Sequence, residues 1–168
     1  MSASGERPDG PASPTSAADL LSRLLGLLAS AETMHDLDHH AAERAFGLNA
    51  EDDDRRLSHS AQLTDEWYYH VLADPDFALG PVLQVEFFDS SGAADATMTD
   101  ICEVDLDQFG SRLTAAGYGS RKDYGEHGEV IAHEFTRGPL IVTVVCNGEA
   151  DQPPEKVSHD CVQSVTVR

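Results

Sequence analysis

His35 and His39 are the first pair of residues whose types and spacing could do chemistry. They stand four residues apart, so in a helix their imidazole rings would share one face and could bind a metal ion. A metal-dependent enzyme would also need a third ligand and a general base, and the HExxH pattern is absent. An exposed polar helix face explains the pair more simply, so the sequence predicts no metal site and no cofactor.

A second group of metal-capable side chains comprises Cys102, Cys146, His159 and Cys161. The cysteines form no CxxC pair and have no spacing typical of a zinc site. A nucleophilic thiol would need a neighbouring base to lower its pKa, and His159 could share a strand face with Cys161. We expect the cysteines to be buried structural thiols. A disulfide between Cys146 and Cys161, which end and begin two predicted neighbouring strands, is the alternative.

The patterns of other enzyme classes are missing. Serine, histidine and aspartate all occur, but no GxSxG motif marks a nucleophilic serine. Residues 125–129 (GEHGE) lack the lysine and the following helix of a phosphate-binding loop, and they are typical of a turn with an exposed histidine. We therefore expect a protein without catalytic activity.

Aromatic side chains among acids favour a different role. In a strand, Trp67 and Tyr69 would share one face while Tyr68 takes the other, so one face should be core. The other face would present an aromatic surface that suits a basic partner, although core packing alone is the alternative. The residues expected to face a partner are Asp65, Glu66, Trp67, Tyr68, Glu86 and Asp89.

The charge of the chain narrows the class of partner. The formal net charge is −19, from 30 acidic against 11 basic residues, and no Lys or Arg occurs between Leu57 and Ser111. Nucleic acid would be repelled, because tight binding to it depends on Lys and Arg replacing counterions. A basic protein would be attracted. Solubility or adaptation to salt is the alternative explanation of the acidity.

Three segments have the spacing and the capping residues of helices. Leucines within residues 18–31 form one broad stripe, preceded by Ser16 and Asp19 at capping-box spacing. Capping and stop signals predict further helices over residues 33–47 and 105–117.

Six strands and their order complete the predicted fold. Aromatic and β-branched residues bounded by turn signals predict strands over residues 66–73, 82–89, 94–104, 130–137, 140–146 and 161–168. The expected class is α+β: N-terminal helices plus an antiparallel sheet, in the order α-α-βββ-α-βββ. A diverged duplication of an α-βββ unit would explain the similar amino-acid sequences of the second and third predicted helices, and so would shared capping chemistry.

Residues 1–15 are poor in large apolar groups and are expected to be a disordered tail before a single domain over residues 16–168. No apolar stretch approaches the roughly 20 residues that span a bilayer, so no membrane association is expected. The N-terminus lacks the pattern of a signal peptide, which favours a cytoplasmic protein.

Residues 105–118 (DLDQFGSRLTAAGY) followed by residues 133–145 (HEFTRGPLIVTVV) place a capped helix ending in Gly-Tyr before a hairpin. Over residues 82–145 the chain resembles the immunity proteins of bacterial polymorphic-toxin and secretion systems, which are small, acidic and often α+β. The resemblance implies a protein that covers a cognate toxin, with acidic residues accelerating encounter and a few apolar contacts holding the complex. These proteins share no catalytic residues, so the resemblance assigns none.

Two other functions remain open. One is a secretion chaperone of the type III class, which would hold an unfolded effector segment and could dimerise through the leucine stripe of the first helix. The other is a metal-dependent enzyme that uses His35 and His39. The expected assembly state is a monomer or a homodimer.

Overall fold

Three helices lie on one face of a seven-stranded antiparallel sheet in the computed structural model, which describes residues 11–49, 55–90, 96–149 and 159–168. The helices are α1 (Ala17–Ser30), α2 (His39–Phe46) and α3 (Leu106–Ala115), with short 3₁₀ helices at Met34–Leu37 and Met98–Ile101. The strands are β1 (Leu57–Gln62), β2 (Trp67–Asp74), β3 (Val82–Asp89), β4 (Gly119–Tyr124), β5 (Val130–Arg137), β6 (Leu140–Gly148) and β7 (Asp160–Val167). The predicted α+β class, with N-terminal helices and an antiparallel sheet, is confirmed.

The sheet has the strand order β1-β2-β3-β7-β6-β5-β4, and every neighbouring pair is antiparallel. Strands β1–β3 form one meander after α2, and β4–β6 form a second meander after α3. The last strand, β7, lies between β3 and β6 and joins the two meanders. An α-βββ unit therefore stands on each side of β7.

Side-chain caps begin α1 and α3 where the sequence predicts them. The Ser16 side chain accepts a hydrogen bond from the Asp19 main-chain nitrogen at 3.0 Å at the start of α1. At the start of α3, the Asp105 nitrogen donates to the Gln108 side chain at 3.0 Å, and the Gln108 nitrogen donates to the Asp105 carboxylate at 2.8 Å. These bonds satisfy main-chain donors that the first helical turn leaves unpaired.

Alternation along the strands decides which side chains meet the helices. In β2, the side chains of Trp67, Tyr69, Val71 and Ala73 are buried against the helices. Five leucines of α1 are at most 4% exposed and belong to the same core: Leu20, Leu21, Leu24, Leu25 and Leu28. The leucine stripe of α1 is thus buried in the core of its own chain.

Two predicted elements differ from the structure. The described part of the strand predicted at residues 94–104 contains the 3₁₀ helix Met98–Ile101, where the Thr97 hydroxyl accepts from the Thr99 nitrogen at 3.3 Å. Such local side-chain bonds compete with strand pairing. The helix predicted over residues 33–47 is divided, because Asp38 is extended and caps α2 through a 2.8 Å bond from the Ala41 nitrogen.

Strands β1 and β4 are additional to the six predicted strands. Both are edges of the sheet, and both are polar, with the sequences LSHSAQ and GSRKDY. Edge strands often carry polar and charged side chains, which discourage pairing with other chains. That polarity removes the apolar alternation on which strand prediction depends.

Part of the predicted tail contacts the folded domain. Residues 1–10 lie outside the described residues, but Pro14 is buried and the Arg23 guanidinium donates to the main-chain oxygen of Ala12. Arg55 and Arg56, which precede β1, are exposed. None of the described helices combines the length and the apolar character that crossing a bilayer requires.

Candidate protein-binding face

The face of the sheet opposite the helices is covered by no described helix. Strand register places Tyr68 of β2 opposite Phe88 of β3, and His70 opposite Glu86. Because residues two apart in a strand point the same way, these four side chains lie together on the open face. We call Tyr68, His70, Glu86 and Phe88 the open-face patch.

An aromatic pair forms the apolar part of this patch. The rings of Tyr68 and Phe88 are stacked, with centroids 5.7 Å apart and an angle of 21° between their planes. Phe88 is 38% exposed, and Tyr68 is half-buried. Partly exposed aromatic rings that already support each other lose little conformational entropy when they bind a partner.

Acidic groups border the aromatic pair. Glu86 is half-buried beside it, and Asp65 and Glu66 are exposed in the turn before β2. His70 is held by a 3.0 Å contact between its Nε2 and the Ser58 hydroxyl. No Lys or Arg occurs between Leu57 and Ser111, so β1–β3 contain no lysine or arginine side chain that could neutralise these acids. The patch is therefore suited to a partner with positive charge.

Two of the six predicted partner-facing residues form hydrogen bonds within the fold. Trp67 is 3% exposed, and its indole nitrogen donates to the main-chain oxygen of Thr97 at 3.0 Å, so the prediction that it faces a partner is wrong. Asp89 is half-buried and its carboxylate accepts from the Ala96 nitrogen at 3.3 Å, so its contact with a partner stays a prediction. The four that remain on the surface or the open face are Asp65, Glu66, Tyr68 and Glu86.

The histidines proposed as a metal pair do not share one helix. His35 lies in the 3₁₀ helix and His39 is the first residue of α2, because the extended Asp38 separates them. His39 instead forms a close group with His40 and Glu43, whose ligand atoms lie within 4.8 Å of one another. Of these three residues, His40 is exposed, and His39 and Glu43 are half-buried.

The cysteine pairing also differs from both expectations. Cys102 and Cys161 form a disulfide with their Cα atoms 5.0 Å apart, and Cys146 is the free cysteine. Cys146 is opposite Val162 in the β6–β7 ladder, so its neighbour is not Cys161. Burial raises the pKa of the Cys146 thiol to about 12.

A polar cluster surrounds this disulfide. His159 Nδ1 lies 2.7 Å from Glu149 Oε1 and 3.7 Å from Cys102 Sγ, while His159 Nε2 lies 2.8 Å from Asp105 Oδ2. Glu149 is only 3% exposed. We call Cys102, Asp105, Glu149, His159 and Cys161 the His159 cluster.

Hydrogen bonds set the protonation of this cluster. The bonds to Asp105 and then to Glu149 raise the pKa of His159 above its usual value. For Asp105, burial acts to raise the pKa, but the Gln108 amide and His159 outweigh it and lower the pKa overall. A cationic His159 between two carboxylates is the state that this arrangement favours.

Sequence reasoning identified only part of the cluster. The His-x-Cys spacing of His159 and Cys161 is a local signal, but Asp105 and Glu149 come from distant segments. An isolated antiparallel bridge between Asp105 and Cys161 brings the start of α3 to β7. No local pattern encodes that contact.

Comparison with known proteins assigns no family. No protein-family model matches the chain, and no curated protein or solved structure matches it.

Proposed function

We propose that this chain is a non-catalytic protein-binding module, an immunity protein that neutralises a cognate bacterial toxin by binding it directly. The observation that carries the proposal is the stacked Tyr68–Phe88 pair, partly exposed on a sheet face that no described helix covers. The resemblance of residues 82–145 to immunity proteins supports the same function. As expected from the sequence, the proposed protein acts in the cytoplasm.

The partner is a folded, basic domain. The acids at Asp65, Glu66 and Glu86 attract it at a distance and accelerate encounter, an effect that salt weakens. The ring pair then supplies a desolvated centre of contact, where aromatic residues contribute most of the binding free energy. A toxin whose active site is lined by Lys or Arg would be blocked by such a surface. No nucleic acid and no cofactor takes part.

A secretion chaperone is the alternative, and the packing of α1 weakens it. The leucines that could have formed an apolar dimer interface are buried against the sheet. A chaperone would have to hold its effector segment elsewhere. The binding module acts as a monomer, or as a homodimer that forms without those leucines.

The test begins with a photo-crosslinking amino acid in place of Phe88 in the full chain, expressed in the cells that produce the protein. The crosslinked partner is identified, produced alone, and tested for growth arrest with and without co-expression of the chain. We expect one basic domain that arrests growth and is neutralised at equal stoichiometry. Its association rate should fall as salt rises.

Matched aromatic variants locate the interface. Tyr68→Ala should weaken binding by about 30-fold, as truncation of a hot-spot residue does. Tyr124→Ala is the control, since Tyr124 is 60% exposed and lies in the far edge strand β4. Equal loss in both variants, or binding that only Tyr124→Ala reduces, would overturn the assignment of the face. Capture of an extended effector segment by a dimer would favour the chaperone.

A further inference from the structure

Once the Cys102–Cys161 disulfide is reduced, the His159 cluster offers four side chains that could bind a metal ion. Cys102 Sγ, Cys161 Sγ, His159 Nδ1 and a Glu149 carboxylate oxygen all lie within 4.8 Å of one another. Two thiolates, one imidazole and one carboxylate form a four-ligand set of the kind that Zn²⁺ accepts in tetrahedral geometry. Harder ions such as Mg²⁺ and Ca²⁺ prefer oxygen ligands only.

Neighbouring residues already hold these ligands in orientation. His159 Nε2 lies 2.8 Å from Asp105 Oδ2, which leaves Nδ1 facing the sulfurs and Glu149. The Thr99 hydroxyl donates to the other carboxylate oxygen of Glu149 at 2.6 Å. A ligating histidine usually donates its second ring N–H to a carboxylate, and such outer partners are part of a built metal site.

Three of the four ligands lie in β7 or directly beside β6 and β7. His159 directly precedes β7, and Cys161 lies in β7 between β3 and β6. Asp105 caps α3 and also bridges Cys161. Glu149 directly follows β6 and is 3% exposed. The sulfurs can therefore exchange the disulfide bond for bonds to a metal ion through side-chain rotation, without rearrangement of the sheet.

We infer that the His159 cluster is a zinc site whose occupation alternates with the Cys102–Cys161 disulfide. A dithiol reductant breaks the S–S bond, becomes a disulfide itself, and delivers two electrons and two protons to the cysteines. Zn²⁺ then binds both sulfurs as thiolates and His159 through Nδ1, and the two thiol protons and the Nδ1 proton pass to solvent. An oxidant that takes two electrons from the thiolates reverses the exchange, reforming the disulfide and releasing Zn²⁺.

The compartment decides which form prevails. Structural disulfides are rare where glutathione and thioredoxin keep thiols reduced, so in a cytoplasmic protein Cys102 and Cys161 would be thiols. The zinc form then replaces the covalent link between the segment before α3 and β7 with a metal link. The prevalence of the zinc form rests on the cytoplasmic location in the proposed function, but the ligand set itself uses none of the open-face patch.

The test measures metal uptake by the full chain in both redox states. Protein oxidised to the disulfide, or reduced with a phosphine, is incubated with excess Zn²⁺ and desalted, and bound zinc is quantified. We expect about one Zn²⁺ per chain in the reduced protein only. Co²⁺ in place of Zn²⁺ should give the absorption of thiolate-to-metal charge transfer.

Variants separate this site from other cysteines and histidines. Glu149→Gln should abolish stoichiometric uptake, and Thr99→Val should weaken binding about tenfold by removing an outer partner. Cys146→Ser and His40→Ala are matched controls that should bind zinc like the wild type. If His40→Ala loses zinc while Glu149→Gln retains it, the metal lies on α2 and the inference is wrong.

Folding is followed by circular dichroism in the same samples. If reduction with a metal chelator present unfolds the chain, addition of Zn²⁺ should restore the folded spectrum of the wild type and leave Glu149→Gln unfolded. A reduced chain that stays folded and takes up neither Zn²⁺ nor Co²⁺ would overturn the inference. So would an unfolded chain that Zn²⁺ does not restore.

Discussion

The guanidinium carbon of Arg137 lies 4.6 Å from the centroid of the Tyr118 ring. The same guanidinium donates to the main-chain oxygens of Leu28 at 2.9 Å and Ala116 at 2.6 Å, and also to that of Ala31. The Tyr118 hydroxyl donates to Leu28 as well, at 2.8 Å. One arginine at the end of β5 thus satisfies carbonyl groups that the C-terminal turns of α1 and α3 leave unpaired.

Arg137→Met should lower the free energy of unfolding by about 3 kcal/mol, because several partly buried carbonyls lose a charged donor. Arg137→Lys should recover only part of this, since an ammonium group lacks the planar fork that reaches both helices. Urea denaturation measures both. Arg121→Met is the control, at an exposed arginine on the neighbouring strand β4, and should change stability by less than about 0.5 kcal/mol. Equal effects at the two arginines would refute the capping role.

Gly47 and Gly26 should respond to alanine in opposite directions. Gly47 ends α2 with φ of 64°, and a Cβ there would lie 2.7 Å from the main-chain oxygen of Ala12. Gly47→Ala should therefore destabilise the fold by about 2 kcal/mol or more. Gly26 is exposed within α1 with nothing within 4 Å of a Cβ, so Gly26→Ala should stabilise by up to about 1 kcal/mol. Thermal unfolding distinguishes the two, and a stable Gly47→Ala would mean that residues 11–15 do not pack on α2.

The contribution of Asp19 to the stability of the protein depends on pH. Its pKa is lowered, mainly by the hydrogen bonds from Arg23, whose Nε lies 3.0 Å from Oδ1. A lowered folded-state pKa stabilises the protein above the unfolded value of about 4, and this contribution is lost as pH falls through the folded value. Asp19→Asn should cost about 1 kcal/mol at pH 7.

The cost of Asp19→Asn should shrink as the pH falls below about 4, where the wild-type carboxylate is protonated as well. Urea unfolding at pH 7 and pH 3 measures the difference. Glu103→Gln is the control for removal of an acidic group, because Glu103 is exposed and its substitution should change the free energy of unfolding by less than about 0.5 kcal/mol at pH 7. A gap between Asp19→Asn and wild type that is the same at both pH values would contradict the ion pair.

Alkylation before and after reduction should distinguish the three cysteines. The folded, oxidised protein should react slowly, because burial raises the pKa of Cys146 to about 12 and leaves little thiolate at pH 8. Denaturation should release one reactive thiol, and reduction should release all three. Peptide mapping should place the single label on Cys146. A label on Cys102 or Cys161 would mean that the bridge has not formed, and Cys146→Ser should abolish the single label.

Local chemistry in the sequence predicts the helix starts and the principal strands. Ser16 with Asp19, and Asp105 with Gln108, form their predicted caps because each interaction spans only three residues. Strands β3 and β5 have the predicted bounds, and Gly138 at φ of 56° makes the hairpin between β5 and β6. These features need no knowledge of distant contacts.

Features that depend on tertiary contacts are the ones that sequence reasoning misplaced. The alternation of Trp67 and Tyr68 predicts two opposite faces but does not say which face the helices cover, so the burial of Trp67 cannot be predicted from the alternation alone. The Cys102–Cys161 pairing depends on the docking of the segment before α3 against β7, which joins residues 59 positions apart. Neither spacing nor propensity contains that information.

Because β7 lies between β3 and β6 although it comes last in chain order, both meanders keep an unpaired inner edge until Asp160–Val167 is available. A nascent chain therefore exposes the main-chain groups of β3 and β6, together with apolar residues such as Val85 and Val144 that later become core. Leu83 must pair with Val167 across half of the chain, so closing the sheet is slow compared with forming its helices. The period of synthesis before β7 emerges is thus the time at which this protein is most exposed to aggregation.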